Sequence, residues 1–369
     1  MKTLLIGVGA AGNKAVMTAI EKGIHKEDNC IMVNSTSKDF PAEFKGKKIV
    51  LSPYNTGCGK ERTVAKDYTL TALKSGKFDI PDISSYTTVV IATSVEGGTG
   101  SGATPILAKF FNQVPKKNVH IMAFIGFEED VRGLSNTIEF FQEIDSNLIV
   151  HAIRNVAFLR EAGGNKFKAE QLANVEMAKR LRIITGQDFI NSEQNIDDTD
   201  ILKVSNTSGY MTVEHSYITK ALVDQEDFNK LIKKMIYESK SIQTKNPGAL
   251  RLGVILNIDP STEDAIDYSF ADIKKIYGNP FESFLQKQWD NDKEYIAFIV
   301  SGMQMPLEEL KAIFARYKEE TEKVNKDTDS FFKEMQAMEL NNADKKFDMI
   351  KPVQHGTTID DFMKQFETK

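Results

Sequence analysis

One glycine-rich loop constrains the possible fold of this chain more than any other stretch. It runs from Val95 to Pro105 and reads Val-Glu-Gly-Gly-Thr-Gly-Ser-Gly-Ala-Thr-Pro. A β-branched run at 87–93 predicts a buried strand before the loop, and Pro105 predicts the first turn of a helix after it. Backbone N–H groups and the helix dipole at such a junction favour an anion. We therefore expect a di- or triphosphate here, contacted by Gly97, Gly98, Thr99, Gly100, Ser101 and Gly102, with glycine needed because side chains would block the ligand.

Two other interpretations of this loop are weaker. A mobile glycine linker does not normally follow a buried strand. A Walker-type phosphate loop has the spacing of Gly97 and Gly102, but Ala103 stands where that motif has its lysine. Without the lysine the β- and γ-phosphates would lack a point charge, so the sequence argues against an ordinary Walker loop.

A second phosphate-loop pattern lies near the N-terminus. Residues 2–8 predict a buried strand, which enters a G-x-G-x-x-G pattern at Gly7 to Asn13. A nicotinamide-dependent dehydrogenase would place a carboxylate about 20 residues further on, after the second strand. Here the second strand, at 30–33, ends in Asn-Ser-Thr. The pattern therefore favours a different nucleotide-binding protein over a dehydrogenase.

A third glycine turn, Gly57 to Arg62, leads into a predicted helix over 63–75. Lys60 and Arg62 are placed to meet a phosphate from this turn. A solvated helix start explains the same residues equally well on local evidence, so both interpretations stay open at this point.

Strand and helix patterns alternate through the first half of the chain. Further strands are predicted at 119–124 and 148–153, with an amphipathic helix between them. This alternation predicts an α/β fold with a doubly wound, mainly parallel sheet. Ligands bind at the carboxyl ends of such strands, and all three glycine loops, residues 128–132 and Asn155 fall there. That coincidence is stronger evidence for a nucleotide site than any single motif.

A long helix and an acidic segment follow. The helix is predicted at about 168–185 and carries Asn174, which the local pattern explains as a polar surface residue. The segment 195–202 reads Asn-Ile-Asp-Asp-Thr-Asp-Ile-Leu. Its carboxylates are typical of a solvated turn or helix cap, and alternatively of a cation site or a water-polarising pair.

The composition changes after about residue 206. Helical segments are predicted at 217–223 and 228–237, and strands at 250–258 and 295–300, with no further glycine loop. These elements predict a smaller α/β domain without a nucleotide site of its own. We therefore expect a nucleotide-binding domain at 1–205, with the central helix and the 195–202 loop inside it, and a second domain at 206–306.

A long helix at 307–340 and a tail at 341–369 complete the chain. The helix has a heptad-like seam that threonine weakens at Thr321 and Thr328, which favours packing on its own chain over a coiled-coil dimer. The tail carries mixed charge, and we expect it to be flexible until a partner binds its small apolar face. That face comprises Ile359, Phe362, Met363 and Phe366.

Composition excludes several classes of protein. The chain has 369 residues, 27% of them charged, and a formal net charge of −5, so a broad basic surface for nucleic acid is not expected. Two cysteines argue against a disulfide scaffold and fit a reducing cytoplasm. No signal peptide is apparent, and no stretch approaches the roughly 20 apolar residues that cross a bilayer.

Taken in order, the motifs resemble those of the tubulin/FtsZ family. Val95 to Ala103 is similar to the family's signature loop, G-G-G-T-G-[ST]-G, and Gly7 to Asn13 to its first nucleotide loop. Residues 195–200 resemble its catalytic loop, N-x-D-x-x-D. The resemblance covers residues 1 to about 205 by motif and the second domain only by architecture. It implies a GTP-binding domain joined by a long central helix to the second domain.

The resemblance also implies a role for each matched residue. Glu128 and Arg132 match the segment that contacts the ribose, and Asn155 and Asn174 match the two asparagines that read guanine. Asn195, Asp197 and Asp200 match the catalytic loop, which outweighs the local explanations of Asn174 and Asp200. Phosphate contacts are implied for residues 97–102 and for Gly9, Ala10, Ala11, Asn13, Gly57, Lys60 and Arg62.

This chain departs from the family pattern at several places. Glu96 and Glu129 stand where cell-division members usually have glycine, and Val156 replaces an acid. Glu170 stands where a base-stacking aromatic is common, with Phe167 as a substitute. These departures and the long final helix look most like the plasmid- and phage-encoded TubZ-type members. The main alternative is a divergent FtsZ-like cell-division GTPase. Further off are a nicotinamide-dependent oxidoreductase and a nucleotide-binding protein that never polymerises.

The resemblance implies a mechanism shared between subunits. One subunit would hold GTP or GDP, with Mg²⁺ bound mainly by phosphate and water, and the next would insert Asp197 and Asp200 for hydrolysis. It implies head-to-tail filaments in the bacterial host cytoplasm that segregate plasmid or phage DNA. A separate DNA-binding adaptor would join filament to DNA, with no direct DNA or membrane contact by this chain.

Overall fold

The structure is a computed structural model that describes residues 2–80, 83–187, 198–218, 224–244, 247–260, 270–289 and 294–337. Its strands are β1 (Thr3–Val8), β2 (Cys30–Asn34), β3 (Lys47–Val50), β4 (Thr88–Ser94), β5 (Asn118–Ile125), β6 (Ile149–Arg154), β7 (Gly209–Tyr217), β8 (Arg251–Asn257), β9 (Glu282–Gln288) and β10 (Tyr295–Met303). Its α-helices are α1 (Gly9–Glu21), α2 (Arg62–Lys74), α3 (Gly98–Asn112), α4 (Val131–Glu143), α5 (Lys166–Ile184), α6 (Asp198–Ser205), α7 (Gln225–Tyr237), α8 (Ala271–Ile276) and α9 (Leu307–Ala337). None of the helices within these residues is both long enough and apolar enough to cross a bilayer.

All the strands form one sheet in the order β3-β2-β1-β4-β5-β6-β7-β10-β8-β9. Strands β1 to β6 are all parallel. The chain moves outward from β1 to β2 and β3 and then returns to β4 on the other side of β1. This reversal leaves a crevice at the carboxyl ends of β1 and β4, where open α/β sheets bind ligands.

Alternate residues of the central strands face opposite layers of helices. On β1 and β4, Ile6 and Ile91 pack with α3 and α4, whereas Leu5 and Val90 pack with α1 and α5. Every β1 residue is buried because both faces of the sheet are covered. The predicted doubly wound α/β fold is confirmed.

The second half of the chain extends the same sheet. β7 lies parallel to β6 through the pairs Ile149↔Gly209 and Val150↔Tyr210, and β10 is antiparallel to both β7 and β8. The boundary at residue 206 remains a prediction, but no break in the sheet separates the two halves. Helix α5 also touches both, since its buried apolar residues lie in the same cluster as Ala15 and Val16 of α1, and its Glu176 lies 2.9 Å from His215 Nε2 on β7.

Some sequence predictions differ from the structure in the second half. The sequence predicts a helix from Tyr217, yet Tyr217 is the last residue of β7, a strand that the sequence patterns missed, and 219–223 lie outside the described residues. The central helix spans Lys166–Ile184, close to the predicted 168–185. The tail at 341–369 also lies outside the described residues.

The long helix α9 packs on its own chain. Leu310, Ile313 and Phe314 are buried in the same cluster as Leu134 and Ile138 of α4. The heptad-like seam therefore covers a helix of the nucleotide-binding half, in agreement with packing on the chain itself.

Candidate nucleotide-binding site

The predicted site residues meet along one edge of the sheet. Val8 lies opposite Thr93, Ser94 opposite Phe124 and Ile125 opposite Arg154, so β1, β4, β5 and β6 end side by side. Three strand spacings, about 14 Å in all, separate the end of β1 from the end of β6. The edge can therefore hold an extended ligand.

The turn between β1 and α1 forms one end of this edge. Gly9 opens α1 with a φ of +76°, and a Cβ on Gly12 would lie 2.1 Å from the carbonyl oxygen of Ala92. Glycine at position 12 therefore allows α1 to approach β4. Asn13 is fully buried, and its Oδ1 has no hydrogen-bond partner among the described residues. Ala10 and Ala11 lie in the first turn of α1 and are at least partly exposed.

Helix α3 begins earlier than the sequence suggested. The residues expected to form a loop, Gly98 to Gly102, are its first turns, and Gly97 is an extended N-cap whose φ and ψ are −78° and 162°. No side chain caps this end, so the first N–H groups of the helix remain available for an anion.

The glycines of this loop serve mainly the packing of the protein itself. A Cβ on Gly100 would lie 2.5 Å from Thr93 Oγ1 and 2.6 Å from the Ser94 carbonyl oxygen. A Cβ on Gly98 or Gly102 would meet the backbone of residues 60–62. Among these glycines only Gly97 has nothing within 4 Å of the position that a Cβ would take. Three of the four glycines therefore admit neighbouring protein atoms, and the expectation that glycine is also needed to admit the ligand stays a prediction.

The two hydroxyls in this turn also have protein partners. Ser101 Oγ donates to the Gly97 carbonyl oxygen, and Thr99 Oγ1 lies 2.9 Å from Ser35 Oγ. Ser35 follows β2 directly and was not singled out from the sequence. These bonds fix the start of α3 against its neighbours.

The turn at 57–62 contains one residue that the prediction placed wrongly. The Arg62 guanidinium, 2% exposed, lies 2.8 Å from Glu139 and 2.7 Å from Glu143, and it donates to the Ser101 carbonyl oxygen at 3.1 Å. A phosphate contact does not agree with this geometry, because a buried cation is already paired within the protein. Lys60 Nζ lies 2.7 Å from Asp130 at the surface, and Gly57 is exposed.

The segment after β5 joins the turn before α3 to α4. Glu96 Oε1 accepts from the Glu128 N–H at 3.0 Å. Burial raises the pKa of the Glu96 carboxyl, and the hydrogen bond from Glu128 opposes part of this shift. Asn136 Nδ2 donates to the carbonyl oxygens of Lys60 at 3.0 Å and Glu96 at 2.9 Å. The sequence analysis did not single out Asn136. An amide on the buried face of an amphipathic helix could have indicated a residue that hydrogen-bonds to neighbouring backbone groups.

The two predicted ribose-contacting residues are held by ion pairs. Glu128 has a 5% exposed side chain that pairs with Arg316 of α9, and Arg132 pairs with Glu61. No spacing in the sequence indicates the contact with Arg316, since 188 residues separate the partners.

The two predicted guanine-reading asparagines lie on elements in contact. Asn155 opens a short 3₁₀ helix directly after β6, and this helix packs on α5, which carries Asn174. Both side chains are largely buried, and Asn155 Oδ1 has no hydrogen-bond partner within the described part of the chain. Phe167, near the start of α5, is 63% exposed.

Only one of the three predicted catalytic residues, Asp200, lies within the described residues. Asn195 and Asp197 fall outside the described residues. Asp200 lies in α6, where Lys203 Nζ approaches it to 3.3 Å. Helix α6 ends where Ser205 Oγ donates to the Ile184 carbonyl oxygen, and β7 then starts opposite Ile149, the first residue of β6. Asp200 is therefore near the amino edge of the sheet.

Comparisons with known proteins agree with this geometry. Residues 2–160 match the family described as Tubulin/FtsZ family, GTPase domain. The chain is 25% identical over 315 residues to tubulin-like protein TubZ of Clostridium botulinum C phage, covering 82% of this chain and 79% of that protein. It is 27% identical over 154 residues to cell division protein FtsZ of Helicobacter pylori, covering 40% of each.

Solved structures show the same fold. Clostridium botulinum phage c-st TubZ has a TM-score of 0.68 at 19% identity, covering 88% of this chain and 99% of that one. The GTPγS-form protofilament of TubZ from Bacillus thuringiensis serovar israelensis has a TM-score of 0.69 at 18% identity, covering 88% and 94%.

Proposed function

We propose, from the match of residues 2–160 to the tubulin/FtsZ family GTPase domain, that this chain forms GTP-dependent filaments in which each subunit completes the active site of its neighbour. The similarity to TubZ and to a TubZ protofilament supports self-association into a polymer. The division of the active site between two subunits is inferred from the position of Asp200.

The separation of Asp200 from the phosphate turns carries this proposal. The turns before α1 and α3 lie at the carboxyl edge of the sheet, and Asp200 lies near the amino edge. Helix α5 runs between the two edges, and its 19 residues span about 28 Å. Asp200 therefore cannot reach a nucleotide in its own subunit. A second copy stacked along α5 brings its Asp200 to that nucleotide, and repetition of this contact produces a filament.

The nucleotide lies along the carboxyl edge in this proposal. The uncapped N-terminus of α3 at Gly97 and Gly98 and the start of α1 receive the phosphates, and Glu128 and Arg132 contact the ribose. Asn155 and Asn174 read the base. Guanine suits Asn155 Oδ1, a buried acceptor for which the described residues supply no donor, because the guanine edge donates from N1–H and the N2 amine.

Hydrolysis follows from positioning and electrostatics in this scheme. Asp197 and Asp200 of the adjacent subunit orient and polarise a water, with Asn195 beside them. The water oxygen attacks the γ-phosphorus, the bond to the β-phosphate oxygen breaks, and GDP and inorganic phosphate leave. Mg²⁺, held mainly by phosphate oxygens and water, would neutralise phosphate charge. Within the residues described, no group of three or more His, Cys, Asp or Glu side chains is placed to bind a metal ion.

The cellular role proposed is segregation of plasmid or phage DNA through a DNA-binding adaptor, in the host cytoplasm. The match to the phage protein TubZ spans 315 residues, whereas the match to FtsZ covers 154. The breadth of the first match favours the TubZ-type role over the alternative, cell division.

GTPase activity measured against protein concentration tests the split site. Activity per molecule should rise above a threshold concentration, and Asp200→Ala should lower it about 10²–10⁴-fold while filaments persist with GTP. Glu226→Ala removes an exposed carboxylate on α7 and should behave as wild type. A specific activity that stays flat from dilute to concentrated protein would contradict a shared site.

A further inference from the structure

Glu128 is held by a residue from near the end of the described chain. Its backbone has a φ of +56°, a left-handed conformation that costs energy for a residue with a Cβ. Arg316 of α9 pairs through Nη1 with Glu128 Oε2 and donates from Nη2 to the Glu128 carbonyl oxygen at 2.9 Å. One guanidinium therefore binds the side chain and the main chain of the strained residue together.

The two carboxylate oxygens of Glu128 have different surroundings. Oε2 accepts from Arg316, whereas Oε1 is buried and has no hydrogen-bond partner among the described residues. Arg154 approaches Oε1 only to 3.8 Å through Nη2, and its Nη1 lies 3.5 Å from Glu309. A buried carboxylate oxygen without a donor is costly, so a donor from a ligand would be favoured there.

We propose that Arg316 is a positioning residue for the nucleotide site: it fixes Oε2 and the main chain of Glu128 so that Oε1 accepts a hydrogen bond from a ribose hydroxyl. This inference rests on the proposed binding of a guanine nucleotide. It assigns to α9, a helix outside the matched GTPase domain, an indirect part in nucleotide affinity that acts through Glu128.

The geometry requires arginine at position 316. Its planar guanidinium presents parallel donors, and here one reaches a carboxylate and the other a carbonyl oxygen. Lysine would keep the charge but place its single ammonium at one of these two partners. Arg316→Lys should therefore retain part of the effect that Arg316→Ala removes.

Calorimetric titration with GDP and with 2′,3′-dideoxy-GDP isolates the ribose contact. Wild type should bind GDP about tenfold or more tightly than the dideoxy nucleotide, as expected for a hydrogen bond to a charged group. Arg316→Ala should weaken GDP binding by about tenfold and leave dideoxy-GDP binding nearly unchanged. The ratio of the two dissociation constants, dideoxy-GDP to GDP, should therefore approach one in this variant. Arg316→Lys should fall between. Lys323→Ala, which removes exposed contacts to Glu319 and Glu320 on the same helix, should match wild type.

Each other outcome has a definite meaning. Equal weakening of both nucleotides in Arg316→Ala would show a general structural effect and overturn the inference, as would a wild type that binds GDP without preferring the ribose hydroxyls. Failure of wild type to bind GDP would overturn the proposed function as well. If thermal denaturation shows that Arg316→Ala is unfolded, Arg316→Lys carries the comparison, and an unchanged ratio in that variant overturns the inference.

Discussion

Single buried atoms define the candidate site more sharply than the glycine motifs do. Asn155 Oδ1 and Glu128 Oε1 are both buried acceptors without a protein donor in the described chain. Leaving such an atom unpaired costs about 1–3 kcal/mol, so each is a place where a ligand donor gains affinity. The two atoms follow β6 and β5, which are neighbouring strands.

Asn155→Ala should remove guanine selectivity. The variant loses an acceptor for the guanine N1–H and N2 amine, so GDP affinity should fall about tenfold or more while ADP affinity stays nearly constant. Competition binding with the two nucleotides measures the ratio. Asn147→Ala, an exposed asparagine at the opposite edge of the sheet, is the matched control and should keep wild-type selectivity. Unchanged selectivity in Asn155→Ala would contradict its role.

Residue types at strand ends could be predicted from the sequence, but their partners could not. The alternation of strands and helices placed the glycine turns, Glu128 and Asn155 on one edge, because parallel strands end together. The sequence did not indicate that a side chain at position 100 would also meet Thr93 and Ser94 of the preceding strand. The ion pairs of Arg62 and Arg316 depend on packing between distant helices, which no local pattern encodes.

At the scale of elements, the buried Arg62 joins three helices near the phosphate turn. It is the first residue of α2, its carboxylate partners belong to α4, and it donates to the carbonyl oxygen of Ser101 in α3. This cluster fixes the start of α3, whose first N–H groups belong to the proposed anion site. Arg62 therefore affects the candidate site indirectly, by fixing the position at which helix α3 begins.

Arg62→Ala should lower stability and nucleotide affinity together. Loss of the cation removes its hydrogen bonds to Glu139, Glu143 and the Ser101 carbonyl oxygen, at a cost on the order of 1–3 kcal/mol. Urea unfolding of the nucleotide-free protein measures the loss. Lys66→Ala, which removes a more exposed partner of Glu143, should cost less than about 1 kcal/mol. Weaker GDP binding with unchanged stability would instead indicate a direct phosphate contact by Arg62.

At the scale of the whole molecule, one sheet carries both parts of the proposed active site. The turns before α1 and α3 lie at its carboxyl edge and Asp200 near its amino edge, and α5 connects them. The sequence predicts two domains from a change in composition. The composition does change near residue 206, but β6 and β7, which lie on either side of that point in the sequence, are hydrogen-bonded in one sheet. Pairing between strands so far apart in the sequence cannot be recognised from a local sequence pattern.

Purified protein with GTP should fail to shift DNA in a gel at physiological salt. Its net charge is −5 and no run of several consecutive Lys or Arg occurs, so few phosphate counterions would be released on binding. A DNA-binding adaptor should recruit filaments to DNA, and truncation at Asn341 should weaken recruitment but not GTP binding. Substitution of Phe362 and Phe366 by alanine in the full chain tests the apolar face of the tail alone and should weaken recruitment in the same way. Equal recruitment of the truncated protein would place the docking surface on the filament body.

The anchoring of α9 at Glu128 makes the helix a lever arm. From Arg316 to its end at Ala337 the helix extends 21 residues, or about 32 Å. A tilt of about 10° around the Arg316 contact would move the far end by about 5 Å for this length. In the proposed complex, small displacements of the segment at Glu128 would be magnified at the far end of the helix, and a force on that end would be transmitted to the ribose.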